Sequence, residues 1–236
     1  GYDLHLTLNL GLQRAAAEAL GDRPGAVVAL DPKTGAVLAM VSNPRIDPRP
    51  LVLDPAAPDD QAETARVMRA WRNITVDAGT PLLLRATQGL YTPGSIFKTI
   101  TAAAILDAGL ATPETVFEDR GELRVDSHVI RELNRPTPPK NQYSLAEAYR
   151  YSLNVVFAQL ALKLGPERMA DYARRFGFDQ EIPFDLPVAT SQIANTGDFL
   201  KRPTGLADTG YGQGELLVSP LHVALLAATI ANDGVR

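Results

Sequence analysis

An α+β fold is predicted by three features of the chain: strand-type patterns confined to its first 42 residues, helical patterns through its middle, and proline-rich breaks between them. The 236 residues are 45% hydrophobic, with 23 basic side chains against 27 acidic ones and a net charge of −4. A chain of that size and apolar content can bury a core without a metal or a disulfide.

Each element has its own signal. Asp3-Leu4-His5-Leu6-Thr7-Leu8-Asn9 alternates polar and apolar, the period of a half-buried strand, and runs into a helical stretch that Gly21 ends. Two apolar runs, 26–30 and 36–41, are joined by Asp31-Pro32-Lys33-Thr34-Gly35, where proline presets φ and glycine supplies a positive φ; a β-hairpin is predicted. This sheet is short of partners and is expected to leave an open edge. Pro44, Pro48, Pro50, Pro55 and Pro58 remove too many donors for a regular element, so 43–60 is predicted as loop. Residues 59–71 turn helical. Residues 95–107 are apolar nearly all round, which predicts a central, buried helix. Residues 111–143, polar and proline-bearing, are predicted as surface elaboration. Helices follow at 145–151, 155–164 and 166–176, the last opened by Pro166 and closed by Gly177, and at 220–231.

Composition removes several chemistries. With no cysteine, thiol catalysis, Cys-ligated zinc and iron–sulfur clusters are excluded. There is no basic cluster, so nucleic acid is not an expected partner. No apolar run reaches the roughly 20 residues that span a bilayer, and Gly1-Tyr2-Asp3 does not begin a signal peptide; if the protein works at a membrane, its anchor is expected outside this chain. His5, His128 and His222 share no metal-ligand spacing, and no metal is predicted. Trp71 is read as core or interface.

Ser95-Ile96-Phe97-Lys98 is the only Ser-x-x-Lys in the chain. After Pro93-Gly94 a serine commonly caps a helix, but a capping box would place Glu or Gln where Lys98 stands. A lysine on an apolar helix, at the positive end of its dipole, is pushed towards the neutral amine, and a neutral amine one turn from a hydroxyl is a general base beside a nucleophile. Ser152-Leu153-Asn154 lies further on, between two predicted helices. Alone it reads as a helix cap, with Asn154 or Ser152 opening the next helix.

In this order the two motifs resemble the first two of the three active-site motifs of penicillin-binding protein transpeptidases and their serine β-lactamase relatives. The likeness extends over nearly the whole chain: Asp3 to Leu8 with Leu12-Gln13, the hairpin through Ser42, Gly89-Leu90-Tyr91-Thr92-Pro93-Gly94-Ser95, and Gly212-Gln213-Gly214 with Ser219-Pro220-Leu221. These blocks are similar to the transpeptidases rather than to the β-lactamases, and the hairpin to the monofunctional class B proteins. Ile96 departs mildly, standing where the family has a small hydroxyl residue, and is placed on the buried side of the helix. The third motif, Lys-Ser/Thr-Gly, does not occur after Asn154; Lys33-Thr34-Gly35 precedes Ser95 and is read as a turn. The chain is therefore expected to stop before the last strands of the family's sheet.

The resemblance implies a single, incomplete transpeptidase domain over 1–236: N-terminal strands and helix of an antiparallel sheet in 1–42, a mainly helical region with both motifs in 43–210, and a loop and helix in 211–236. It implies acyl transfer on the D-Ala-D-Ala end of peptidoglycan stem peptides, with Ser95 the nucleophile, Lys98 its base, Ser152 a proton relay and Asn154 an amide-binding group that also holds Lys98. Gly94, Tyr151, Gly212, Gln213 and Gly214 are expected to line the substrate site. β-Lactams would acylate the same serine. No cofactor is implied. The expected location is the extracytoplasmic face of the bacterial membrane, with elongation or division proteins as partners of the full-length protein. The 236 residues alone are expected to be poorly active, and a serine β-lactamase or carboxypeptidase, a β-lactam sensor, and a fragment without turnover stay open at this level.

Overall fold

The computed structural model describes residues 3–235 and shows the α+β architecture. Gly1, Tyr2 and Arg236, at the limits of the predicted terminal segments, lie outside the described residues. The chain divides into two compact units, Gly1–Gly89 with Ser219–Arg236, and Leu90–Val218.

In the first unit, β1 (Gly25–Leu30) and β2 (Val37–Asn43) form the predicted antiparallel hairpin, with Val28 opposite Met40. Asp31 builds its turn. One carboxylate oxygen accepts from the backbone N–H of Lys33 and Thr34, both at 2.9 Å, while Gly35 sits at φ 73°. Helix α1 (Leu10–Leu20) is N-capped by Asn9, whose side chain accepts from Leu12 N–H. The strand predicted over residues 3–9 does not form, although the alternation is real. Thr7 donates to Val37 O and Asn9 N–H to Leu38 O, and the segment has no ladder; Leu4 and Leu6 stay largely exposed because no second sheet faces them. No third strand pairs with this hairpin among the described residues, and on its β2 side the Gln13 amide donates to Met40 O and accepts from Met40 N–H, both at 2.8 Å. After the loop, α2 (Asp60–Val76) is capped by Asp59 and runs five residues beyond the predicted end, with Trp71 44% exposed rather than in a core. The short α3 (Arg85–Gln88) and the C-terminal α9 (Pro220–Ala231) pack on each other and on β1.

The second unit is built on helices. A 3₁₀ turn over Gly94–Phe97 leads into α4 (Lys98–Asp107), which buries Lys98, Ile100, Thr101, Ala104 and Ile105. Helix α5 (Leu145–Tyr151) starts at a capping box between Ser144 and Glu147. The apolar α6 (Asn154–Leu164) forms the middle of the core, against α7 (Pro166–Arg175) and α8 (Pro203–Gly210). Helix α8 was not predicted, since its two glycines argue against a helix. Those glycines are the reason it packs so closely: a Cβ on Gly210 would lie 2.5 Å from Phe157 O on α6, and one on Gly205 would lie 2.3 Å from Phe199 O. The stretch 111–143 is more ordered than predicted. It holds β3 (Val116–Glu118) paired with β6 (Gln142–Ser144), and the hairpin of β4 (Glu122–Val125) and β5 (His128–Arg131), strands too short to show a period.

Candidate active site

Ser95 lies in the 3₁₀ turn, two residues ahead of a buried phenylalanine and three ahead of Lys98. Two features set this turn. Phe97 is anchored edge-on against Phe178, ring centroids 5.5 Å apart, and Gly94 N–H donates to Gly212 O at 2.9 Å. Ser95 is exposed, whereas Lys98 retains only 1% of its accessible surface. Ile96, predicted on the buried side, is 46% exposed, because the tighter 3₁₀ winding turns it away from the face that Phe97 and Lys98 share.

Ser152 closes α5 in the left-handed region, at φ 57° and ψ 46°. This is a C-terminal position where glycine is usual, and a Cβ there costs about 1–2 kcal/mol. The conformation reverses the chain sharply, so that α5 ends and α6 begins within three residues, with the fully buried Leu153 as the pin between them. Neither serine nor asparagine caps α6 as the helix-cap interpretation of Ser-Leu-Asn requires: Leu153 is the N-cap residue and makes no side-chain cap bond. Ser152 and Asn154 point their polar atoms at Lys98 instead.

The Lys98 amine meets four oxygens: Ser152 O at 2.6 Å, Asn154 Oδ1 at 2.7 Å, Ser152 Oγ at 3.0 Å and Ser95 Oγ at 3.2 Å. The two nearest are carbonyl oxygens and can only accept. A neutral amine has two N–H bonds and one lone pair, so donating to both carbonyls leaves the lone pair for the hydroxyls. Ser152 Oγ donates to Ser95 Oγ at 2.9 Å, which frees the Ser95 proton for Lys98. Burial favours that neutral form and brings the Lys98 pKa down to about 8, against a smaller opposing pull from Glu132. The face of Phe157 lies 5.6 Å away. Together these residues form an exposed hydroxyl, a buried base and a second hydroxyl able to pass a proton.

The other predicted residues fall in two groups. Gly212 and Gln213 come against Gly94, next to Ser95: a Cβ on Gly94 would lie 4.0 Å from the Gln213 amide nitrogen, whereas Gly214 lies under the Phe199 ring. Tyr151 differs, its ring packing against Tyr143 and under Arg150. Two contributors escaped prediction. Thr101 donates to Gly210 O at 2.9 Å, tying α4 to the start of the Gly212 loop, and Glu132 reaches the N-terminus of α6; neither has a sequence signal, since each acts across more than 20 residues. The Lys33-Thr34-Gly35 sequence occupies the hairpin turn, as predicted. Among the described residues no group of three or more His, Cys, Asp or Glu side chains could hold a metal ion.

A profile of the penicillin-binding protein transpeptidase domain matches residues 25–236. The chain belongs to the penicillin-binding protein transpeptidase family. It is 37% identical over 244 residues to the peptidoglycan D,D-transpeptidase PbpA of Mycolicibacterium smegmatis, covering 100% of this chain and 47% of that one. It is 33% identical to penicillin-binding protein 3 of Bacillus subtilis, covering 99% of this chain and 33% of the relative. In three dimensions it resembles penicillin-binding protein A from M. tuberculosis, solved as a ceftriaxone acyl-enzyme complex. The TM-score there is 0.85 at 34% identity, with 97% of this chain and 50% of the other covered. The D,D-transpeptidase domain of a peptidoglycan glycosyltransferase from Eggerthella lenta is similar too, at TM-score 0.80 and 32% identity, covering 96% of this chain and 54% of that one. The chain spans about half the length or less of these relatives.

Two expected results follow from this transpeptidase geometry. A Cβ on Gly212, whose φ is 88°, would lie 1.7 Å from Gly94 O. Gly212→Ala should therefore push the 3₁₀ turn out of place, slow β-lactam acylation at least tenfold and lower stability by about 1 kcal/mol or more, read by labelling kinetics and thermal unfolding. Labelling at the parent rate would show that the Gly94–Gly212 contact is dispensable. At position 152, glycine relieves the left-handed strain and alanine keeps it. Ser152→Gly should then be more stable than Ser152→Ala by roughly 1 kcal/mol, while both lose acylation about 10²-fold with the hydroxyl. Equal melting temperatures for the two would remove the strain argument.

Proposed function

We propose that this chain carries out acyl transfer on the D-Ala-D-Ala end of peptidoglycan stem peptides and is acylated by β-lactams, with Ser95 the nucleophile. The observation that carries this is the amine of Lys98, buried, drawn towards neutrality and saturated by two carbonyl acceptors, so that its lone pair faces the Ser95 and Ser152 hydroxyls. Ser95 Oγ attacks the penultimate D-alanine carbonyl as its proton passes to Lys98. The carbonyl–nitrogen bond then breaks, and the terminal D-alanine leaves with a proton relayed through Ser152. An amine from a second stem attacks the Ser95 ester, forms the cross-link and releases the serine. With a β-lactam the broken amide bond belongs to the ring, and the ester persists.

Asn154 holds Lys98 and offers its amide to the substrate backbone. Gly94, Gly212 and Gln213 line the approach, with Gly214 behind them, and the N–H of Ser95 is one oxyanion donor. We read the whole chain as one transpeptidase domain acting on the extracytoplasmic face of the membrane, beside elongation or division proteins. No helix among the described residues is long and apolar enough to cross a membrane.

The test joins two measurements. Fluorescent penicillin followed by digestion should leave one adduct, on the peptide containing Ser95. A thioester donor ending in D-alanine should give a new amide when a D-amino acid acceptor is added. An adduct hydrolysed within seconds, with no aminolysis, would assign β-lactamase chemistry instead.

A further inference from the structure

Glu132 follows β5 immediately, and its backbone N–H donates to Gly121 O, so the β4–β5 hairpin fixes where its side chain starts. That side chain crosses to α6, where Oε1 accepts from Val155 N–H, in the first turn of a helix whose own N-cap residue supplies no side-chain acceptor. A carboxylate at that end of an 11-residue helix satisfies a donor that would otherwise lack an intrahelical partner, and it complements the helix dipole. Val155 is the residue after Asn154, and Asn154 holds the Lys98 amine. The second oxygen, Oε2, is buried and has no hydrogen-bond partner among the described residues, on a side chain that is half-buried overall. A buried carboxylate oxygen left unpaired costs free energy that helix capping by an asparagine or serine would not.

We propose that Glu132 is a positioning residue for the acylation reaction: from the hairpin it seats Asn154 against the amine of Lys98, and its charge sets how strongly that amine holds its proton. The reactive serine and its base come from the function proposed above, on which this rests. The charged groups around the pair are few. Burial raises the Glu132 pKa and Asp119 adds to that, while the backbone N–H groups of Val155 and Asn154 and the Lys98 charge oppose it. Asp119 in turn lies 3.9 Å from Arg135. Around Lys98 the charge that acts is Glu132, which pulls its pKa upward against the dominant effect of burial. Glu132 thus keeps the amine from becoming too weak a base.

Lysine Cε chemical shifts report amine titration directly, whether or not the protein turns over. The chain has five lysines, so selective ¹³C labelling gives a resolvable set, and Lys98→Ala assigns the signal. In Glu132→Gln the amide oxygen still accepts from Val155 N–H but the charge is gone. The Lys98 midpoint should fall from about 8 by about half a pH unit or more. Penicillin acylation should keep its plateau within about threefold, with its acid limb moved down by the same amount. Glu132→Ala, which also loses the acceptor, should lower that plateau at least tenfold. An unchanged Lys98 titration in Glu132→Gln overturns the proposal, and so does an alanine plateau equal to the parent's. If Glu132→Ala does not fold, the glutamine titration alone decides. Because the titration is read without acylation, a parent protein that fails to label Ser95 would refute the proposed reaction and leave the Glu132 measurement intact.

Discussion

Replacing Ser95 by alanine should abolish covalent penicillin labelling, a loss on the order of 10⁶-fold in acylation, the scale on which a serine nucleophile is normally missed. Ser152 does not substitute for it. Its hydroxyl lies 2.9 Å from Ser95 Oγ and 3.0 Å from Lys98, within reach of the same base, but its backbone is fixed in the left-handed turn that ends α5. Ser95 has both the exposure and the 3₁₀ turn that presents its oxygen outward. The variant should fold, since Ser95 makes no cap bond to the helix and is an exposed residue. Intact-mass spectrometry of parent and variant after penicillin treatment is the measurement. An adduct of equal occupancy on Ser95→Ala would move the nucleophile elsewhere and undo the proposed function.

Lys98→Ala should slow acylation by 10²- to 10⁴-fold, the range a positioned base contributes. Lys98→Arg should be almost as slow. The guanidinium keeps its proton at every accessible pH, and its planar fork does not fit a pocket whose two carbonyl acceptors sit 2.6 and 2.7 Å from a single nitrogen. The parent's pH profile carries the sign. The amine acts as a base only when neutral, and burial brings its pKa to about 8, so acylation should rise with pH up to about 8 and level off above it; at pH 7 roughly a tenth of the molecules are competent. Neither variant should show that limb. A Lys98→Arg rate within a few-fold of the parent, or a parent profile flat between pH 6 and 9, would take Lys98 out of the base role.

Much of this molecule is legible in its residues because local rules act over short spans. Helix α5 and the β1–β2 turn, the latter marked by Pro32 and Gly35, both form where predicted. The segment 3–9 misled for the opposite reason. Its alternation describes what a strand would bury, but strand formation needs a neighbouring backbone, and Gln13 of α1 occupies the β2 edge at Met40. Helix α8 was hidden because Gly205 and Gly210 weaken a helix locally and are chosen for the close approach of Phe199 and Phe157, contacts from outside the helix.

The sequence by itself determined the Ser95 and Lys98 pairing, because one turn of helix brings residues three apart onto the same face whatever surrounds them. It also determined, through the order of its blocks, the family to which the chain belongs. The tertiary structure decided everything that depends on the dielectric and on contacts between distant segments. Burial lowers the proton affinity of Lys98, the left-handed Ser152 turns two carbonyl oxygens onto its amine, and Glu132 arrives from a hairpin whose strands are too short to show any period. Proton affinity is set by solvation and by charges a few ångströms away, and neither is a function of spacing along the chain.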